Sequence, residues 1–509
     1  MARFFIENFG CRATQADGAA LERQFLERGL ERAGAARDAE IVVLNTCTVT
    51  EGADKDARAS IRRLQRVNPN CRILVTGCYA QRAPEELAAM PGVTWVVGNS
   101  HKHQVAEIAT TQDSLTRGSS GGFVPLAHLW RVAEGHVAKD AMCDAPAGQP
   151  NKPLNNVVVG DIFAHTELMA APVFKAANER TRPNLKVQDG CDNRCSFCVI
   201  PYVRGQSRSL PAERVIAEVR TLVEAGYREV VISGINLGRW GRDLGGSSQF
   251  SVVSSRSVVG RRSFVFGGAE SQPLGSIRER RPTNDRRLVR LIRTILDHTS
   301  LEKLRLSSVE PMDWSDELIE LVASSSRIAK HAHVPMQSGS DPVLRRMHRK
   351  YRPWHYREKI LKIRAAMPRA AIGADVMVGF PGESAAEFDE TRSMIEELPF
   401  TYLHVFTYSA RPGTPATERQ EQVPVGLARE RNGVLRKIGA AKKQAFLRSL
   451  VGTEVEAITL QAGGPDFTEA LTENYQKVRV AGRFDANRWM RFCVERVEGE
   501  MLVVRPGGA

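Results

Sequence analysis

Three cysteines are crowded into the stretch GCDNRCSFCVIPYVRG, which runs from Gly190 to Gly205. Cys191, Cys195 and Cys198 have the spacing C-x3-C-x2-C, and neither a fourth cysteine nor a histidine lies nearby. A structural zinc site usually shows two separated pairs of ligands, and a bacterial ferredoxin motif continues to a fourth cysteine. The spacing therefore indicates a metal or cluster with one open position, with a zinc knuckle or plain structural thiols as the alternative.

A second set of three cysteines is dispersed along the first eighty residues. Cys11, Cys47 and Cys78 each end a short apolar run, in IENFGC, VVLNTC and LVTGC. The carboxyl ends of parallel strands meet in one crevice, so we expect these thiols to converge, with Gly10 and Gly77 allowing close backbone approach. Three equivalent positions favour a second cluster site over three unrelated core residues. The remaining cysteines are predicted to be structural: Cys71, Cys143 and Cys493.

The elements that position these residues belong to the α/β class. Apolar runs alternate with amphipathic helical stretches, which predicts an open parallel sheet first and then a partial (βα)6 barrel with its active site at the strand carboxyl ends. Short strands with turns predict a small C-terminal β-barrel. The predicted parts are a cluster-binding domain (1–111), a connecting region (112–182), a barrel domain (183–424), a connecting helix (425–450) and the small barrel (451–509).

One stretch within the predicted barrel domain loses this periodicity. Residues 245–285 are dominated by Ser, Gly and Arg, which predicts a mobile, solvated insertion. Contact of its arginines with RNA is the alternative.

Composition narrows the class of protein. A net charge of +13 and a pI near 9.5 favour an anionic partner such as nucleic acid. The chain has no run of about 18 apolar residues, and its start lacks the features of a signal peptide, so we expect a cytoplasmic protein without membrane attachment. Nine cysteines in such a chain indicate metal ligands or catalysts rather than a disulfide framework.

The C-x3-C-x2-C loop resembles that of the radical S-adenosylmethionine (SAM) enzymes. With the dispersed triad, the chain resembles the methylthiotransferase family of those enzymes over most of its length, including a C-terminal segment similar to the TRAM RNA-binding domain. The stretch GCYAQ around Cys78 looks most like the branch that acts on threonylcarbamoyladenosine, although Thr14 replaces an Asn often found there. Supporting motifs are SSVEP, HVPMQSGSDPVLRRMHRKY, GADVMVGFPGE, VFTYSARPGTPA and LTENYQKVRV.

This resemblance implies two 4Fe–4S clusters and SAM as cofactors. SAM would occupy the open iron at Cys191, Cys195 and Cys198, and its reductive cleavage would yield the radical that takes hydrogen from C2 of adenine. Sulfur would be held at the second triad. The implied activity adds a 2-methylthio group to N6-threonylcarbamoyladenosine at position 37 of tRNA, beside the anticodon. Isopentenyladenosine in tRNA, an aspartate of a ribosomal protein, and a non-catalytic iron–sulfur RNA-binding role are the alternatives.

Further site residues follow from the motifs. The resemblance implies tRNA (anticodon loop), a reducing electron donor such as flavodoxin or ferredoxin, and a sulfur source as partners, and no catalytic side chain beyond the cluster ligands. Candidate RNA contacts in the C-terminal barrel are Lys477, Arg479 and Arg483. Candidate SAM contacts at the strand ends are Phe197, Gly234, Asn236, Glu310, Gln337, Ser338 and Gly379.

Overall fold

The N-terminal strands form one parallel sheet. The computed structural model describes residues 2–116, 156–165, 168, 182–245, 286–464 and 466–507. The strand order is β2-β1-β3-β4-β5-β6, and all neighbouring strands are parallel. The strands are β1 (Arg3–Asn8), β2 (Glu31–Arg32), β3 (Ile41–Thr46), β4 (Arg72–Gly77), β5 (Val93–Gly98) and β6 (Val157–Val158). Four of them were predicted; β2 and β6, at the two edges, are too short to produce a periodic pattern.

Helices cover both faces of this sheet. In β3, Ile41 and Val43 pack with α1 and α5, whereas Val42 and Leu44 pack with α2 on the opposite face. Successive side chains of a strand point to opposite faces, and burial of both faces explains the continuous apolar run IVVL. The helices are α1 (Arg12–Glu27), α2 (Glu51–Val67), α3 (Cys78–Arg82), α4 (Pro84–Ala88) and α5 (Val105–Thr116).

The central part is an open barrel of six parallel strands, as the sequence predicts. One sheet has the order β10-β9-β7-β8 and the other has the order β11-β12-β13. A bridge between Leu304 and Ile328 and a hydrogen bond from Val309 N to His333 O (3.1 Å) join them. The strands are β7 (Asn184–Asp189), β8 (Arg208–Ser209, an antiparallel edge), β9 (Glu229–Gly234), β10 (Lys303–Leu306), β11 (His331–His333), β12 (Ala371–Val378) and β13 (Tyr402–Thr407).

Helices pack on the outer face of the open barrel. Ile372, Ala374, Val376 and Val378 of β12 belong to the core shared with these helices, so the residues between them face the barrel interior. The helices are α6 (Ile200–Arg204), α7 (Ala212–Glu224), α8 (Arg287–His298), α9 (Asp316–Ser324), α10 (Asp341–Arg346), α11 (Pro353–Ala366) and α12 (Ala385–Glu397).

The C-terminal strands close into a five-stranded barrel of order β14-β15-β16-β18-β17, in agreement with the predicted TRAM-like module. The stretch FCVERVEGEMLVV, predicted as one strand, contributes to two, because the chain turns at Gly499 with φ +58°. The elements are α13 (Val425–Ser449), β14 (Glu454–Ala462), β15 (Phe467–Thr472), β16 (Lys477–Ala481), β17 (Trp489–Glu498) and β18 (Met501–Pro506).

Several predicted features fall outside the described residues. These are Cys143, most of the connecting region 112–182, and the insertion from residue 246 to residue 285. Within the part of the chain that the structure describes, every helix is too short or too polar to span a bilayer.

Candidate metal centres

The dispersed cysteines meet at the carboxyl edge of the N-terminal sheet. Cys11 follows β1 and precedes α1, Cys47 follows β3, and Cys78 is the first residue of α3 after β4. The strand order changes direction between β1 and β3, which is where open α/β sheets bind ligands. Cys47 and Cys78 are buried and Cys11 is exposed, so the group opens to solvent on one side.

Two glycines make this approach of the chains possible. Gly10 has φ +90°, and a Cβ atom there would lie 2.4 Å from Cys47 Cβ and 2.7 Å from Cys47 Sγ. Gly77 has φ +100°, and a Cβ atom there would lie 2.3 Å from Thr46 O. Both the left-handed backbone and the lack of space require glycine. The predicted role of the two glycines is therefore supported by the geometry.

The electrostatics of the dispersed triad suit a metal-bound state. Burial and the neighbouring Cys78 and Cys11 sulfurs raise the pKa of the Cys47 thiol to about 12. Thiolates that interact in this way repel one another, and a bound iron–sulfur cluster offsets that repulsion. Three sulfur ligands leave one iron of a 4Fe–4S cluster without a cysteine. The donor set therefore fits such a cluster with an open position.

The second triad occupies the loop between β7 and α6. The Cys191 sulfur accepts a hydrogen bond from Asn193 N (3.4 Å), and the Cys195 sulfur accepts one from Arg349 Nη1 (3.3 Å). Burial raises the pKa of the Cys198 thiol to about 12, with a smaller contribution from the neighbouring Cys195 sulfur. Donors directed at the sulfurs stabilise thiolates, so this loop also fits a three-cysteine cluster.

Three predicted SAM contacts lie beside this loop. Asn236 places Nδ2 3.8 Å from Cys191 Sγ, and its buried Oδ1 has no hydrogen-bond partner among the described residues. An unpartnered buried acceptor is costly, which makes this atom suitable for the amino group of SAM. Gly234 ends β9, where a Cβ atom would lie 2.7 Å from Gln188 Oε1. Phe197 packs edge-on against Phe380, with ring centroids 6.4 Å apart.

The other four predicted SAM contacts already have protein partners. Glu310 forms an ion pair with Arg349. Gln337 has φ +62° and donates from its backbone N to Asp375 O (2.8 Å). Ser338 is buried, with its hydroxyl 3.1 Å from Thr391 Oγ1. Gly379 has φ +73° and donates to Glu383 Oε2 (2.7 Å), as a turn-forming residue would. These residues stay predictions as SAM contacts.

Helix α6 connects the two triads. It begins two residues after Cys198, and Val199 and Val203 pack directly against Cys78. Asn99 reinforces this contact, because its Nδ2 donates to both Val203 O (2.8 Å) and Cys78 Sγ (3.5 Å). One short helix thus holds a ligand of one triad against the segment that carries the other.

A buried network of charges fills the space behind α6. Arg204 donates to Asp17 Oδ2 and to Asp189 Oδ1, both at 2.9 Å. Lys102 lies 2.9 Å from Asp17, and Lys186 contacts both aspartates. Although burial opposes its ionisation, the three cations hold the pKa of Asp17 below its ordinary value. The network ties the N-terminal sheet to the barrel, and its cations outnumber its carboxylates.

Sequence reasoning missed the residues of this network, as well as Asn99 and Arg349. Lys186 carried the clearest signal, since it interrupts the apolar pattern of NLKVQDG in the middle of a buried strand. Asp17 is a charged residue on the buried side of α1. A charge where the pattern predicts burial requires a partner. The partner itself, up to 187 residues away, leaves no trace in the local sequence.

The predicted RNA contacts lie on one region of the C-terminal barrel. Lys477 and Arg483 are exposed. Arg479 is half-buried, with its guanidinium 4.4 Å from the centre of the Phe467 ring and 3.9 Å from Glu498. A solvated basic surface is compatible with this arrangement as well, so these residues stay predictions.

Tyr475 links the C-terminal barrel to the N-terminal triad. It lies in the turn between β15 and β16 with φ +67°. Its hydroxyl accepts a hydrogen bond from Arg12 Nη2 (3.4 Å), and its ring lies 5.1 Å from that of His331. Since Arg12 directly follows Cys11, the turn brings the C-terminal barrel within one residue of a predicted cluster ligand.

Comparisons with known proteins agree with this arrangement. The model of the uncharacterized protein family UPF0004 matches residues 3–98, and that of the radical SAM superfamily matches residues 185–237 and 259–395. The threonylcarbamoyladenosine tRNA methylthiotransferase MtaB of Aquifex aeolicus is 31% identical over 488 residues, 96% of this chain and 99% of that protein. The Bacillus subtilis MtaB is 32% identical over 489 residues, 95% of this chain and 92% of that protein. The tRNA-2-methylthio-N(6)-dimethylallyladenosine synthase of Roseobacter denitrificans is 30% identical over 465 residues, 91% and 88% of the two chains.

Proposed function

The chain belongs to the methylthiotransferase family of radical SAM enzymes, and we propose that it adds a 2-methylthio group to N6-threonylcarbamoyladenosine at position 37 of tRNA. The observation that carries the proposal is the pair of three-cysteine sites held together by α6. Each site leaves one position open, so one can hold SAM while the other holds sulfur. Adjacent sites allow both to act on one adenine.

The cofactors supply the difficult chemistry. Two 4Fe–4S clusters and SAM provide electron transfer, a radical able to attack an unreactive C–H bond, and a methylated sulfur. Cys191, Cys195 and Cys198 would hold one cluster, and Cys11, Cys47 and Cys78 would hold the other. The protein contributes ligands, position and charge.

Residues around the loop cysteines prepare the SAM site. Arg349 donates to the Cys195 sulfur and is itself held by Glu310, which fixes the guanidinium on the ligand. Asn236 is anchored by a hydrogen bond from its backbone N to Gln188 Oε1 (2.7 Å), and its buried Oδ1 has no hydrogen-bond partner among the described residues. Such anchoring limits the reorganisation needed when SAM binds.

Residues behind the dispersed triad keep it in place. Arg204 binds Asp17 of α1 and Asp189 of β7, so the first helix of the N-terminal sheet cannot move away from the barrel without separating buried charges. Cys11 is the residue immediately before that helix. The network thus fixes the distance between the two triads.

The substrate is tRNA, and we propose that its anticodon loop is the part recognised. The positive net charge of +13 and the C-terminal barrel support this. An external reductant such as flavodoxin or ferredoxin and a separate sulfur source complete the proposed set of partners. Because its substrate is tRNA, we propose that the protein acts in the cytoplasm.

Nucleoside mass spectrometry of tRNA from a deletion strain tests the function. We expect the 2-methylthio form of threonylcarbamoyladenosine to disappear and the unthiolated nucleoside to accumulate. A plasmid copy with Cys71→Ala should restore the modification, because Cys71 lies before β4, away from both triads. Unchanged threonylcarbamoyladenosine would refute the substrate. A deficit in thiolated isopentenyladenosine, or in a ribosomal-protein aspartate, would assign one of the other substrates of the family.

A further inference from the structure

A second type of ligand set, without cysteine, lies inside the open barrel. His333 on β11, Asp375 on β12 and His404 on β13 occupy three adjacent strands. Asp375 lies opposite His404 in the strand register. It also lies between Ala374 and Val376, which face the helices, so its side chain points into the barrel. The three side chains therefore converge on one point of the interior.

Their ligand atoms have the separations that a metal ion requires. His333 Nε2 and His404 Nδ1 each lie 3.3 Å from Asp375 Oδ1, and all three atoms are within 4.8 Å of one another. Ligands at about 2.0–2.2 Å from a metal are separated by about 3 to 3.5 Å when they occupy neighbouring positions. The two separations from Asp375 Oδ1 fall in that range, and the two imidazole nitrogens lie within 4.8 Å of each other.

His333 is held at one ring nitrogen and directs the other at Asp375. Its buried Nε2 lies 3.3 Å from Asp375 Oδ1, close enough for an ion pair with that carboxylate. Its other nitrogen, Nδ1, lies 2.7 Å from Ser308 Oγ. Metal-binding histidines commonly have one nitrogen held by an outer partner while the other faces the ion. His333 has this arrangement, with Nε2 facing Asp375 Oδ1 and a bound ion able to take the place of their direct contact.

The site has an open side. The side chain of His404 is 55% exposed and that of Asp375 is 26% exposed, whereas that of His333 is 9% exposed. A site with three protein ligands and access to solvent has positions left for water or for an oxygen of a substrate.

We propose that His333 Nε2, Asp375 Oδ1 and His404 Nδ1 bind a divalent transition-metal ion inside the barrel, with its remaining coordination positions open. Two imidazoles and a carboxylate form a donor set typical of zinc and of non-haem iron(II). None of the three residues is a ligand of the two cysteine triads. The ion would therefore be held without a cysteine ligand and would be additional to the two clusters.

Zinc binding to the holoenzyme tests the proposal. The full chain, with both triads loaded with iron, is equilibrated anaerobically with Zn²⁺ and desalted, and zinc and iron are measured together. We expect about one zinc ion per chain with unchanged iron. The zinc X-ray absorption spectrum should show nitrogen and oxygen ligands at about 2.0–2.2 Å and no sulfur at about 2.3 Å.

Three variants locate the ion. His404→Ala removes a half-exposed side chain, so the fold is expected to survive, and zinc retention should fall at least tenfold. Asp375→Asn, which preserves size, should also lose zinc. Ser308→Ala removes only the outer partner of His333 and should weaken zinc binding about tenfold. His298→Ala, at the end of α8, is the matched control and should bind zinc as the wild type does.

Two results would overturn the proposal. One is zinc retention by His404→Ala and Asp375→Asn equal to that of the wild type. The other is sulfur in the zinc coordination sphere, which would place the ion on cysteine. Both results are independent of the tRNA substrate, so a failure here leaves the thiolation proposal standing, and a failure of that proposal leaves this one standing.

Discussion

The two cysteine triads reach a similar ligand set by different routes. The loop triad lies within eight residues, between β7 and α6, so its geometry is largely set by one local segment. The dispersed triad is spread over 68 residues and needs three strands of one sheet in the right order. One site therefore depends mainly on local backbone conformation, whereas the other depends on the whole N-terminal fold.

The charges around the triads differ in the same way. Arg349 touches a sulfur of the loop triad directly and is paired with a single carboxylate. Around the dispersed triad, the cations belong to a larger network in which Arg204 is shared between two aspartates from different elements. The loop triad thus has its ligands and its nearby charge in few residues, whereas the ligands and charges of the dispersed triad come from several elements. Variants can test the two triads separately.

Loss of one ligand from each triad gives the largest expected effects. Cys195→Ala should abolish both SAM cleavage and tRNA thiolation, because the open iron that binds SAM is lost. Cys78→Ala should abolish thiolation while leaving part of the SAM cleavage. Iron analysis should fall from about eight to about four per chain in both variants. The measurements are 5'-deoxyadenosine formation and tRNA nucleoside analysis on reconstituted protein.

Cys71→Ala serves as the control for both variants, since Cys71 lies on the opposite edge of the N-terminal sheet. It should keep full iron and full activity. Complete thiolation by Cys78→Ala would show that the dispersed triad is not a cluster site.

Asp17→Asn tests the buried charge network behind the dispersed triad. The change leaves Lys102, Lys186 and Arg204 with one buried carboxylate fewer, and removal of one partner from a buried ion pair costs about 3–5 kcal/mol. The free energy of unfolding, measured anaerobically in urea at pH 7.5, should fall by about that amount. The exposed pair of Asp38 provides the control, because Asp38→Asn should change stability by less than about 1 kcal/mol.

The difference in free energy of unfolding between the wild type and Asp17→Asn should depend on pH. The pKa of Asp17 is lower in the folded protein than its unfolded value of 3.8. Its stabilising contribution is therefore present at neutral pH and is lost as the pH falls below about 4. The gap between the wild type and Asp17→Asn should shrink on acidification. A gap that stays constant from pH 7.5 down to pH 2 would contradict the role assigned to the Asp17 charge.

Removing the arginine beside one triad should shift the reduction potential of the nearby cluster only. Arg204→Gln should lower the reduction potential of the cluster at the dispersed triad, because a positive charge favours the added electron. Arg349→Gln should lower that of the loop cluster. We expect shifts of about 60 mV, which equals about 1.4 kcal/mol for a one-electron couple. Redox titration followed by electron paramagnetic resonance measures both potentials in each variant.

Arg204→Lys and Arg349→Lys retain the charge and should restore most of each potential. Equal shifts of both clusters in either glutamine variant would show that the two environments are not separate.

The positions of both triads could be predicted from the sequence, for two physical reasons. The loop triad is a local spacing, and the dispersed triad follows from the rule that parallel strands end at one edge. The six barrel strands could also be predicted, because each is a short strand-like run that alternates with an amphipathic helical stretch. The split of the last predicted strand at Gly499 was missed, since a turn of two residues does not break the apolar pattern strongly.

Contacts between distant segments could not be predicted. Arg349 and Cys195 are in contact although they are 154 positions apart in the sequence, and Arg204 and Asp17 are 187 positions apart. A sequence pattern reports which residues are buried, but a charge paired across such a distance depends on how the sheet and the barrel pack together. The His333, Asp375 and His404 group was also missed, because Asp375 and His404 lie in the middle of their strands, where the rule for strand ends makes no prediction.

Loss of one predicted RNA contact should give the smallest effect and should change neither triad. Lys477→Ala should weaken tRNA binding a few-fold and reduce the slope of log affinity against log salt by about 0.7, the value for one phosphate contact on a single strand. Lys55→Ala, an exposed lysine of α2 paired with Glu51, is the control and should leave the slope unchanged. Both cluster potentials and SAM cleavage without tRNA should equal those of the wild type. An altered potential in Lys477→Ala would instead mean that the C-terminal barrel acts on the dispersed triad, and the Tyr475 contact with Arg12 would be the route.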